Sequence, residues 1–539
     1  MKISYAYVRR YLRTLRQVPL TQISARIRLR GIRILEGKFP QFAGAPSRPV
    51  DLVPGWPEGF SVIGSQLPRG EAQDIVDGYL TLLGERRSIL DVAKWNEASE
   101  PRLWNFTLQY FEWAWALAMH PDREQMAAEF ERIWTDWNRL THFPQGDAWA
   151  PYPVSLRLWV MCSLYEKQVR DRSFSGSFRA SISQHARYLG RHLEIDLGGN
   201  HLIKNLKALI GAGVFLGDEK ITSRATKLLS EQIHVQILSD GGHFERSASY
   251  HCQVLGDFID ISELMKAAKL PPIDGLDTAI QSMRKWLGSV LAPDDQLPMF
   301  NDGAAVAPAE VRILKPTDDS SSLRILGASG YVVVAPDRRT FCVIDVGDPC
   351  PRELPGHAHA DCLSFELWID ARRWICDTGT STYEAGSRRA HERSTGSHNT
   401  VMIDQVDQTE VWGAFRAGRR AHGSLLSAIE AEGSISVVAT HDGYLHLDGS
   451  PTHIRSFSFS TGNLRIVDEI TGLGQHDVVS MLVINPNVDG VSVRSIEPIV
   501  QTPVKRALDF GVFAPASRSE IRRLGTHLPV VLNWDLEWV

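Results

Sequence analysis

The sequence predicts a two-part α+β fold, in which a helical amino-terminal part is followed by an antiparallel β-sandwich. Between about residues 70 and 315, apolar residues recur at helical spacing, as at Leu202, Leu206 and Leu209. After Asp318 the pattern changes to short β-rich runs such as Tyr331–Val334, which recur roughly every 8 to 15 residues with turn signals between them. These patterns predict three segments, which are a basic amino-terminal extension at 1–45, a helical domain at 46–315 and a β-sandwich domain at 316–539.

The helical part is predicted to be a series of helical hairpins. The apolar positions Ala72, Ile75, Tyr79 and Leu82 predict one helix, and Gly and Pro are concentrated between segments of this kind. Most of the many aromatic residues in this part are expected to be packing residues.

The β-rich part contains several further runs with strand-like patterns. They bury one face or both, and they are separated by turn residues, as antiparallel sandwiches require. The runs used for this prediction are Phe341–Ile344, Ser434–Thr440, Ile454–Phe459 and Val478–Ile484.

Length and charge exclude several classes of protein. A chain of 539 residues can bury substantial cores, which excludes a peptide or a small disulfide-stapled protein. The 58 basic and 63 acidic side chains give a formal net charge of −5, so the sequence predicts no nucleic-acid partner. A polyanionic ligand must therefore meet a local basic cleft. The six cysteines are scattered without a C-x-x-C pair, so buried thiols are expected.

The first 35 residues carry nine Lys or Arg and no acid. No apolar segment of signal-peptide type follows and no 18-residue apolar run occurs, so we expect a cytoplasmic protein without a transmembrane span, with the periplasm as the alternative. The apolar positions of this segment predict an amphipathic helix. It could contact anionic lipid as a peripheral membrane element, or it could lie on the rest of the protein.

Common nucleotide and serine-hydrolase motifs are missing from the sequence, which has neither G-x-x-x-x-G-K-[ST] nor G-x-S-x-G. A histidine cluster stands out instead. His357 and His359 face the same way on an extended chain, and Asp377 and His398 follow at the ends of later segments. Two imidazoles and a carboxylate suit a Zn²⁺-like ion with water completing the shell. The alternative is that these are hydrogen-bonded or exposed histidines in loops.

A second cluster lies in the helical part. Asn200 and His201 open a helix, and about forty residues later come Glu245, Arg246 and Tyr250. Asn200 has a structural explanation as an N-cap, and Tyr250 could be a core residue. Polar loops between helices usually project into one shared cleft, however, so this cluster of polar residues predicts a binding site.

These segments together resemble the heparinase II/III family of polysaccharide lyases and the related alginate lyases. The resemblance covers most of the chain and implies an incomplete α/α toroid followed by an antiparallel β-sandwich. The segments that carry it are 103–111, 151–157, Gly199-Asn-His201, Asp240-Gly-Gly-His-Phe-Glu-Arg-Ser247 with Tyr250-His251, Gly356-His-Ala-His-Ala-Asp361 and Ser394-Thr-Gly-Ser-His-Asn-Thr400.

The resemblance also implies a role for each matching residue. Asn200 and His357 would neutralise the carboxylate of a uronic acid, and Tyr250 and His201 would transfer protons. The ligands of a divalent metal, expected to be a structural Zn²⁺, would be His359, Asp377 and His398. Lys204 departs from the family pattern, because heparinase II-like members can carry a carboxylate there, and this argues against heparin as the substrate.

The chemistry implied is β-elimination, in which the C5 proton leaves and the 4-O-linked neighbour departs. Donors against the carboxylate stabilise the enolate-like species, each by about 3 kcal/mol. Tyr250 would act as base if an adjacent His⁺ or Arg lowered its pKa, and we expect it close to His357. Substrate contacts are predicted at Asn105, Tyr110, Trp149, Tyr152, Arg157, Glu245, Arg246, Arg388 and Arg393.

Two other functions remain open from the sequence alone. One is a carbohydrate-binding or scaffolding protein that has lost turnover. The other is a metal-dependent glycoside hydrolase, which needs two positioned carboxylates, for which Glu245 and Asp361 are the candidates. The leading hypothesis is a lyase for a uronate-containing polysaccharide, with a role in exopolysaccharide or O-antigen metabolism. The oligomeric state is not predicted.

Overall fold

The computed structural model describes residues 5–39, 53–67, 70–90 and 102–539. Contacts between Cα positions divide the chain into two compact units. The sandwich unit comprises Met1–Val18, Ile237–Cys252 and Gln281–Val539, and the helical unit comprises Pro19–Gln236 and Gln253–Ile280. The predicted domain boundary at 315/316 stays a prediction, and the one at 45/46 lies outside the described residues.

Helices dominate the chain before residue 315. Short 3₁₀ segments lie at Ile63–Gln66, Asp147–Trp149 and Thr395–Ser397, and a π-helical turn lies at Tyr165–Val169. The α-helices of the described residues are α1 (Tyr5–Gln17), α2 (Leu20–Lys38), α3 (Ala72–Val76), α4 (Arg102–Gln109), α5 (Ala114–Met119), α6 (Arg123–Leu140), α7 (Pro151–Leu164), α8 (Ser175–Arg191), α9 (Gly199–Leu216), α10 (Glu219–Gln236), α11 (Ala248–Ala267), α12 (Leu276–Val290), α13 (Pro308–Leu314) and α14 (Ser387–Glu392).

Local sequence explains where several helices begin and end. The Asp122 side chain caps α6 by accepting from the Gln125 N–H, and Pro151 opens α7, where its missing N–H costs no hydrogen bond. Gly217 ends α9 in the left-handed conformation, and its N–H bonds the last carbonyls of that helix. Consecutive helices α7, α8, α9 and α10 pack on one another as the predicted helical hairpins do.

The helix predicted through Ala72, Ile75, Tyr79 and Leu82 is shorter than expected. It ends at Val76, and the chain then forms the hairpin of β1 (Tyr79–Leu82) and β2 (Glu85–Ser88). The reason is Gly78, which adopts φ +83° and approaches Leu90 so closely that a Cβ would lie 2.3 Å from the Leu90 Cδ2 atom.

Two large antiparallel sheets form most of the sandwich unit, and β9 and β10 pair separately as a short hairpin. One sheet has the order β11-β12-β13-β14-β19-β16, and the other has the order β17-β18-β15-β7-β6-β5-β4-β3, with β8 also paired to β15. The strands are β3 (Leu323–Leu326), β4 (Tyr331–Val334), β5 (Thr340–Asp345), β6 (Phe365–Ile369), β7 (Arg372–Ile375), β8 (Val401–Ile403), β9 (Val411–Trp412), β10 (Arg416–Ala417), β11 (Gly423–Ala431), β12 (Ser434–His441), β13 (Thr452–Ser460), β14 (Asn463–Thr471), β15 (Gln475–Ile484), β16 (Val491–Arg494), β17 (Ile499–Asp509), β18 (Val512–His527) and β19 (Val530–Trp538).

The two sheets share one hydrophobic core, which makes them a sandwich. Phe365 of β6 and Phe457 of β13 meet in this core edge to face, with ring centroids 5.3 Å apart. Residues of β12 and β13 alternate between buried and more exposed positions, as strands with one core face do. The predicted fold class, helical part first and antiparallel sandwich second, is therefore confirmed.

A buried polar chain lies in this core. Asp468 accepts from His453 Nε2 at 2.8 Å and from Arg455 Nε at 2.6 Å, while His441 Nε2 lies 3.2 Å from His453 Nδ1. The Gly443 N–H donates to His441 Nδ1 at 3.1 Å, so that nitrogen carries no proton. Each histidine is thus fixed as a neutral tautomer, and burial lowers the pKa of both.

The basic amino-terminal segment forms the two helices α1 and α2, which agrees with the predicted amphipathic character. Across the described residues, no helix combines the length and apolar composition needed to cross a membrane. All six cysteines are buried thiols, as the sequence predicts.

Candidate active site

The sandwich unit brings Tyr250 and His357 into contact. Tyr250 lies in the first turn of α11, and its ring centroid is 4.1 Å from that of His357. Both side chains are largely buried, with 13% of the His357 side chain still exposed. The proximity expected from the sequence is therefore present, which gives a phenol and an imidazole one partly accessible location.

A second phenol, which sequence analysis missed, belongs to this pair. The hydroxyls of Tyr250 and Tyr383 are 2.7 Å apart, and the Tyr383 ring centroid is 6.3 Å from that of His357. Burial raises the pKa of both phenols well above the usual value. The condition under which Tyr250 would act as base, a pKa lowered by an adjacent cation, is not met, because burial, Tyr383 and the nearby acids Asp302 and Glu245 all raise the pKa of Tyr250.

Asp302, also missed, is the polar centre of the cluster. Its Oδ2 lies 2.9 Å from His357 Nδ1 and its Oδ1 lies 2.9 Å from His359 Nε2. The Arg389 guanidinium binds both oxygens, with Nη2 at 2.7 Å from Oδ2. Burial would raise the pKa of Asp302, but the charge of Arg389 and these hydrogen bonds hold it well below the usual value. An ionised Asp302 keeps a proton on His357 Nδ1 and orients the ring.

Glu245 faces the opposite nitrogen of the same histidine. Its Oε2 lies 3.9 Å from His357 Nε2, and its side chain is almost completely buried. Glu245 was predicted to contact substrate, and it lies beside the His357 imidazole, which we also expect to contact substrate.

His359, Asp361 and His398 converge on one buried point, with one ligand atom from each lying within 4.8 Å of the others. Among the described residues, His359 Nδ1, Asp361 Oδ1 and His398 Nε2 have no hydrogen-bond partner. Three buried ligand atoms that lie this close together without hydrogen-bond partners fit a divalent cation such as Zn²⁺, since such a group is costly to bury unsatisfied.

The predicted third ligand, Asp377, takes a different position. Its Oδ2 accepts from His398 Nδ1 at 2.7 Å and its Oδ1 accepts from the Gly379 N–H at 2.8 Å, so both oxygens are used. The carboxylate of the convergent group is Asp361 instead, and Asp377 orients His398 from behind. Spacing alone does not distinguish these two acids, because both lie near the same histidines.

The helical unit contains the other predicted proton-transfer residue. Asn200, which is buried, and His201 lie in the first turn of α9, after a turn in which Gly198 and Gly199 have φ values of +70° and +54°. His201 Nδ1 lies 3.2 Å from Glu194 Oε1, and the Asn205 amide holds the other oxygen of that carboxylate at 3.0 Å. Glu194, which sequence analysis missed, thus orients His201 and directs Nε2 away from itself.

Two predicted substrate contacts lie beside His201. The Tyr152 ring centroid is 4.3 Å from that of His201, and Tyr110 packs edge to face on Tyr152 at 5.8 Å. Both tyrosines are partly exposed, so they are placed to contact a ligand of His201. Lys204, at the position that departs from the family pattern, pairs with Asp257 at 2.8 Å.

Asn105, Trp149 and Arg157 were predicted to bind substrate, but all three are buried. Arg157 donates to the carbonyls of Gln109 and Ala148 at 2.9 and 2.7 Å, and its guanidinium lies over aromatic rings of the core. Burial lowers its pKa to about 9. Arg157 therefore supports the helical core, and its predicted contact with substrate is wrong because local sequence does not reveal a guanidinium satisfied by carbonyls. The substrate contacts predicted for Asn105 and Trp149 stay predictions.

Arg393 is a second buried arginine that was predicted to bind substrate. It donates to the carbonyls of Ala358, Gly413 and Arg416 at 2.9, 3.2 and 3.2 Å, and burial lowers its pKa to about 10. Its contact with Ala358 holds the segment between the two histidines, so Arg393 is a structural support.

The two remaining predicted arginines are more accessible. Arg246 is partly buried and donates to the Asp348 carbonyl, while Arg388 is exposed and pairs with Glu392 at 2.9 Å. Both stay predictions as contacts for an acidic substrate.

Comparison with known proteins identifies the family. The model described as Heparinase II/III N-terminus matches residues 95–315, and the one described as Heparinase II/III-like, C-terminal, matches residues 319–524. The chain is 25% identical over 520 residues to FtsZ-localized protein C of Caulobacter vibrioides, a match that covers 93% of this chain and 83% of that protein.

Lyases are among the similar proteins. A heparin-sulfate lyase of Bacteroides stercoris is 25% identical over 411 residues, which cover 68% of this chain and 58% of the lyase. The chain thus spans little more than half the length of that relative. A crystal structure of heparinase III has a TM-score of 0.70 at 16% identity, covering 94% of this chain and 90% of that one, and shares the fold. These matches show that the chain belongs to the heparinase II/III family of polysaccharide lyases.

Proposed function

We propose that this protein cleaves a uronate-containing acidic glycan by β-elimination, with Tyr250 and His357 at the reacting sugar. The observation that carries the proposal is the contact of these two rings, together with the Asp302 carboxylate behind His357. In this reaction the C5 proton is removed, the C4–O4 bond breaks, a C4=C5 double bond forms and the departing O4 takes up a proton.

The first requirement is a partner for the carboxylate of the sugar. In its imidazolium form His357 presents Nε2–H to that anion while Nδ1–H stays on Asp302. A donor placed against charge that grows in the transition state contributes about 3 kcal/mol. A second donor at Asn200, which the family resemblance implies, stays a prediction.

The second requirement is proton transfer. Because the pKa of Tyr250 is raised, this phenol keeps its proton at neutral pH and suits the donor to the departing O4. The Tyr383 hydroxyl, 2.7 Å away, orients the Tyr250 hydroxyl. The acceptor of the C5 proton stays a prediction, for which the family resemblance implies His201, a residue of the helical unit whose Nδ1 faces Glu194.

A divalent ion would be held by His359, Asp361 and His398. When bound, it would cross-link the segment that carries His357 to the His398 loop, and it is proposed to be structural. Every proton in the scheme is handled by side chains of the protein.

The hydrolase alternative is less well supported. It requires Asp361 as one of two working carboxylates, but Asp361 is completely buried and its Oδ2 accepts from the Asn301 N–H at 3.1 Å. Its second oxygen points into the histidine cluster.

The test is the ultraviolet absorbance of new unsaturated uronyl ends, measured on a panel of acidic polysaccharides. Elimination creates this chromophore and hydrolysis does not. We expect one or more substrates to react, Tyr250→Phe to abolish turnover, and the matched control Tyr79→Phe to keep it. Reducing ends without the chromophore would establish hydrolysis instead.

A second candidate function rests on the match to FtsZ-localized protein C, which extends over more of this chain than the lyase match does. The chain could associate with FtsZ polymers. Co-sedimentation of the full chain with polymerised FtsZ would test this, and a chain that stays in the supernatant at micromolar FtsZ would exclude it. The two functions are compatible, so each is measured separately.

A further inference from the structure

Helix α2 of the helical unit has one face anchored to the protein. Its buried residues include Ala25, Leu29 and Glu36. The Glu36 carboxylate lies 2.8 Å from His192 Nε2 and 3.1 Å from Arg191 Nη2. Glu36 is the one acid of α2, so the negative charge of the helix is used on the anchored face.

The opposite face of α2 carries an apolar stripe, defined here as Leu20, Ile27 and Ile34. These side chains are 82%, 69% and 56% exposed. Their seven-residue spacing is two helical turns, which puts them in one line along the helix. Bulky aliphatic side chains exposed in a row mark an interaction surface more often than an ordinary solvated face.

Basic side chains flank the α2 stripe. Arg28 and Arg30 follow Ile27 at angles that put one on each side of the stripe, and both are exposed. Lys38 ends the helix and is also exposed. The outward face of α2 therefore combines an apolar centre with a positively charged border.

Helix α1, in the sandwich unit, repeats the arrangement independently. Arg13 Nε donates to Glu410 at 2.8 Å, and Trp412 Nε1 donates to Thr14 Oγ1 at 3.1 Å, which anchors one face. Away from these contacts, Val8, Leu12 and Leu15 form the α1 stripe, with exposures between 40% and 51%. The helix contains no acid.

We propose that α1 and α2 bind the surface of an anionic lipid bilayer, each through its stripe. An amphipathic helix in the membrane interface inserts its apolar side at the headgroup boundary and sets its arginines against lipid phosphates. The α2 stripe has a basic border and α1 contains no acid, so the charge of the partner must be negative. Since the opposite faces are held by the protein, the chain lies on the membrane surface.

The inference is tested by co-sedimentation of the full chain with vesicles. We expect binding to vesicles containing phosphatidylglycerol, weak binding to pure phosphatidylcholine, and release at high salt. The variant Leu20→Ser/Ile27→Ser should bind about tenfold or more weakly, and Arg28→Gln/Arg30→Gln should bind weakly and lose much of the salt dependence. The substitutions are at exposed positions, so circular dichroism should show an unchanged fold.

The matched control is Ile496→Ser, at a residue of the sandwich that is also highly exposed. It should bind vesicles as the parent chain does. The proposal is overturned if phosphatidylglycerol vesicles do not bind the chain, or if Leu20→Ser/Ile27→Ser binds them equally well. It is also overturned if sedimentation shows lipid-independent self-association that Leu20→Ser/Ile27→Ser abolishes, because the stripe then covers a second copy.

Discussion

Replacing Asp302 with asparagine keeps the shape of the side chain and removes its charge. The change leaves the Arg389 guanidinium buried beside a neutral amide and takes the carboxylate from His357 and His359. Removing one member of a buried ion pair costs about 3–5 kcal/mol of unfolding free energy. Loss of the oriented donor at His357 should lower kcat by about 10²- to 10³-fold.

A double-mutant cycle separates the two effects. Arg389→Gln in the Asp302→Asn background removes the unpaired cation, so part of the stability should return, with a coupling of about 1–3 kcal/mol. Turnover should stay low, because His357 still lacks its carboxylate. Melting temperature and kcat are measured on all four proteins, and Asp489→Asn, an exposed acid paired with Arg372 at 3.5 Å, is the control.

Two results would refute this reasoning. If Asp302→Asn melts and turns over like the parent chain, the carboxylate does not hold the cluster together. If the double variant recovers full kcat, Asp302 acts through charge balance with Arg389 and has no role in orienting His357.

Three further outcomes are expected. Because the pKa of His441 and of His453 is lowered in the folded protein, the unfolded chain binds more protons than the folded chain does. The contribution of these histidines to stability is therefore complete above about pH 6.5 and is lost as the pH falls through the folded pKa values. Melting temperatures measured from pH 7.5 to about pH 5 should fall accordingly, and a flat profile would contradict the neutral tautomers. Asp361→Asn should weaken Zn²⁺ binding in equilibrium dialysis more than Asp377→Asn, whose effect should be about 10- to 100-fold; the reverse order would make Asp377 the ligand. Arg157→Gln should lower the melting temperature with KM unchanged, whereas a selective rise in KM would restore its role at the substrate.

The sequence predicted most of the fold because its hydrophobic periods differ between the two parts. Buried and more exposed residues alternate along β12 to β15 because one face of each strand lies in the shared core, and the same alternation can be recognised in the sequence. The helix predicted across Tyr79 failed because the close approach of Gly78 to Leu90 is a tertiary constraint. Family and enzyme class are confirmed by the comparisons, while substrate, metal and location stay predictions.

The site was predicted in part. Tyr250 and His357 lie in recognisable segments, whereas Asp302 is 55 positions from His357 and Tyr383 is 133 positions from Tyr250. Neither Asp302 nor Tyr383 stands in a motif with a fixed spacing, although the turn sequence Asn301-Asp302-Gly303 offered a weak signal. Arg157 and Arg393 were wrongly assigned to substrate because the sequence does not show that they are buried. An arginine that binds backbone carbonyls and one that binds a ligand look alike in sequence.

The sharing of Asp302 between His357 and His359 has an evolutionary consequence. Substitution of Asp302 leaves both histidines without their carboxylate, and substitution of either histidine removes a hydrogen bond from the buried Asp302, so a single replacement passes through an unfavourable intermediate. Related proteins that have lost enzymatic activity should therefore lack Asp302, His357 and His359 together, and those that keep any one of these side chains should retain all three.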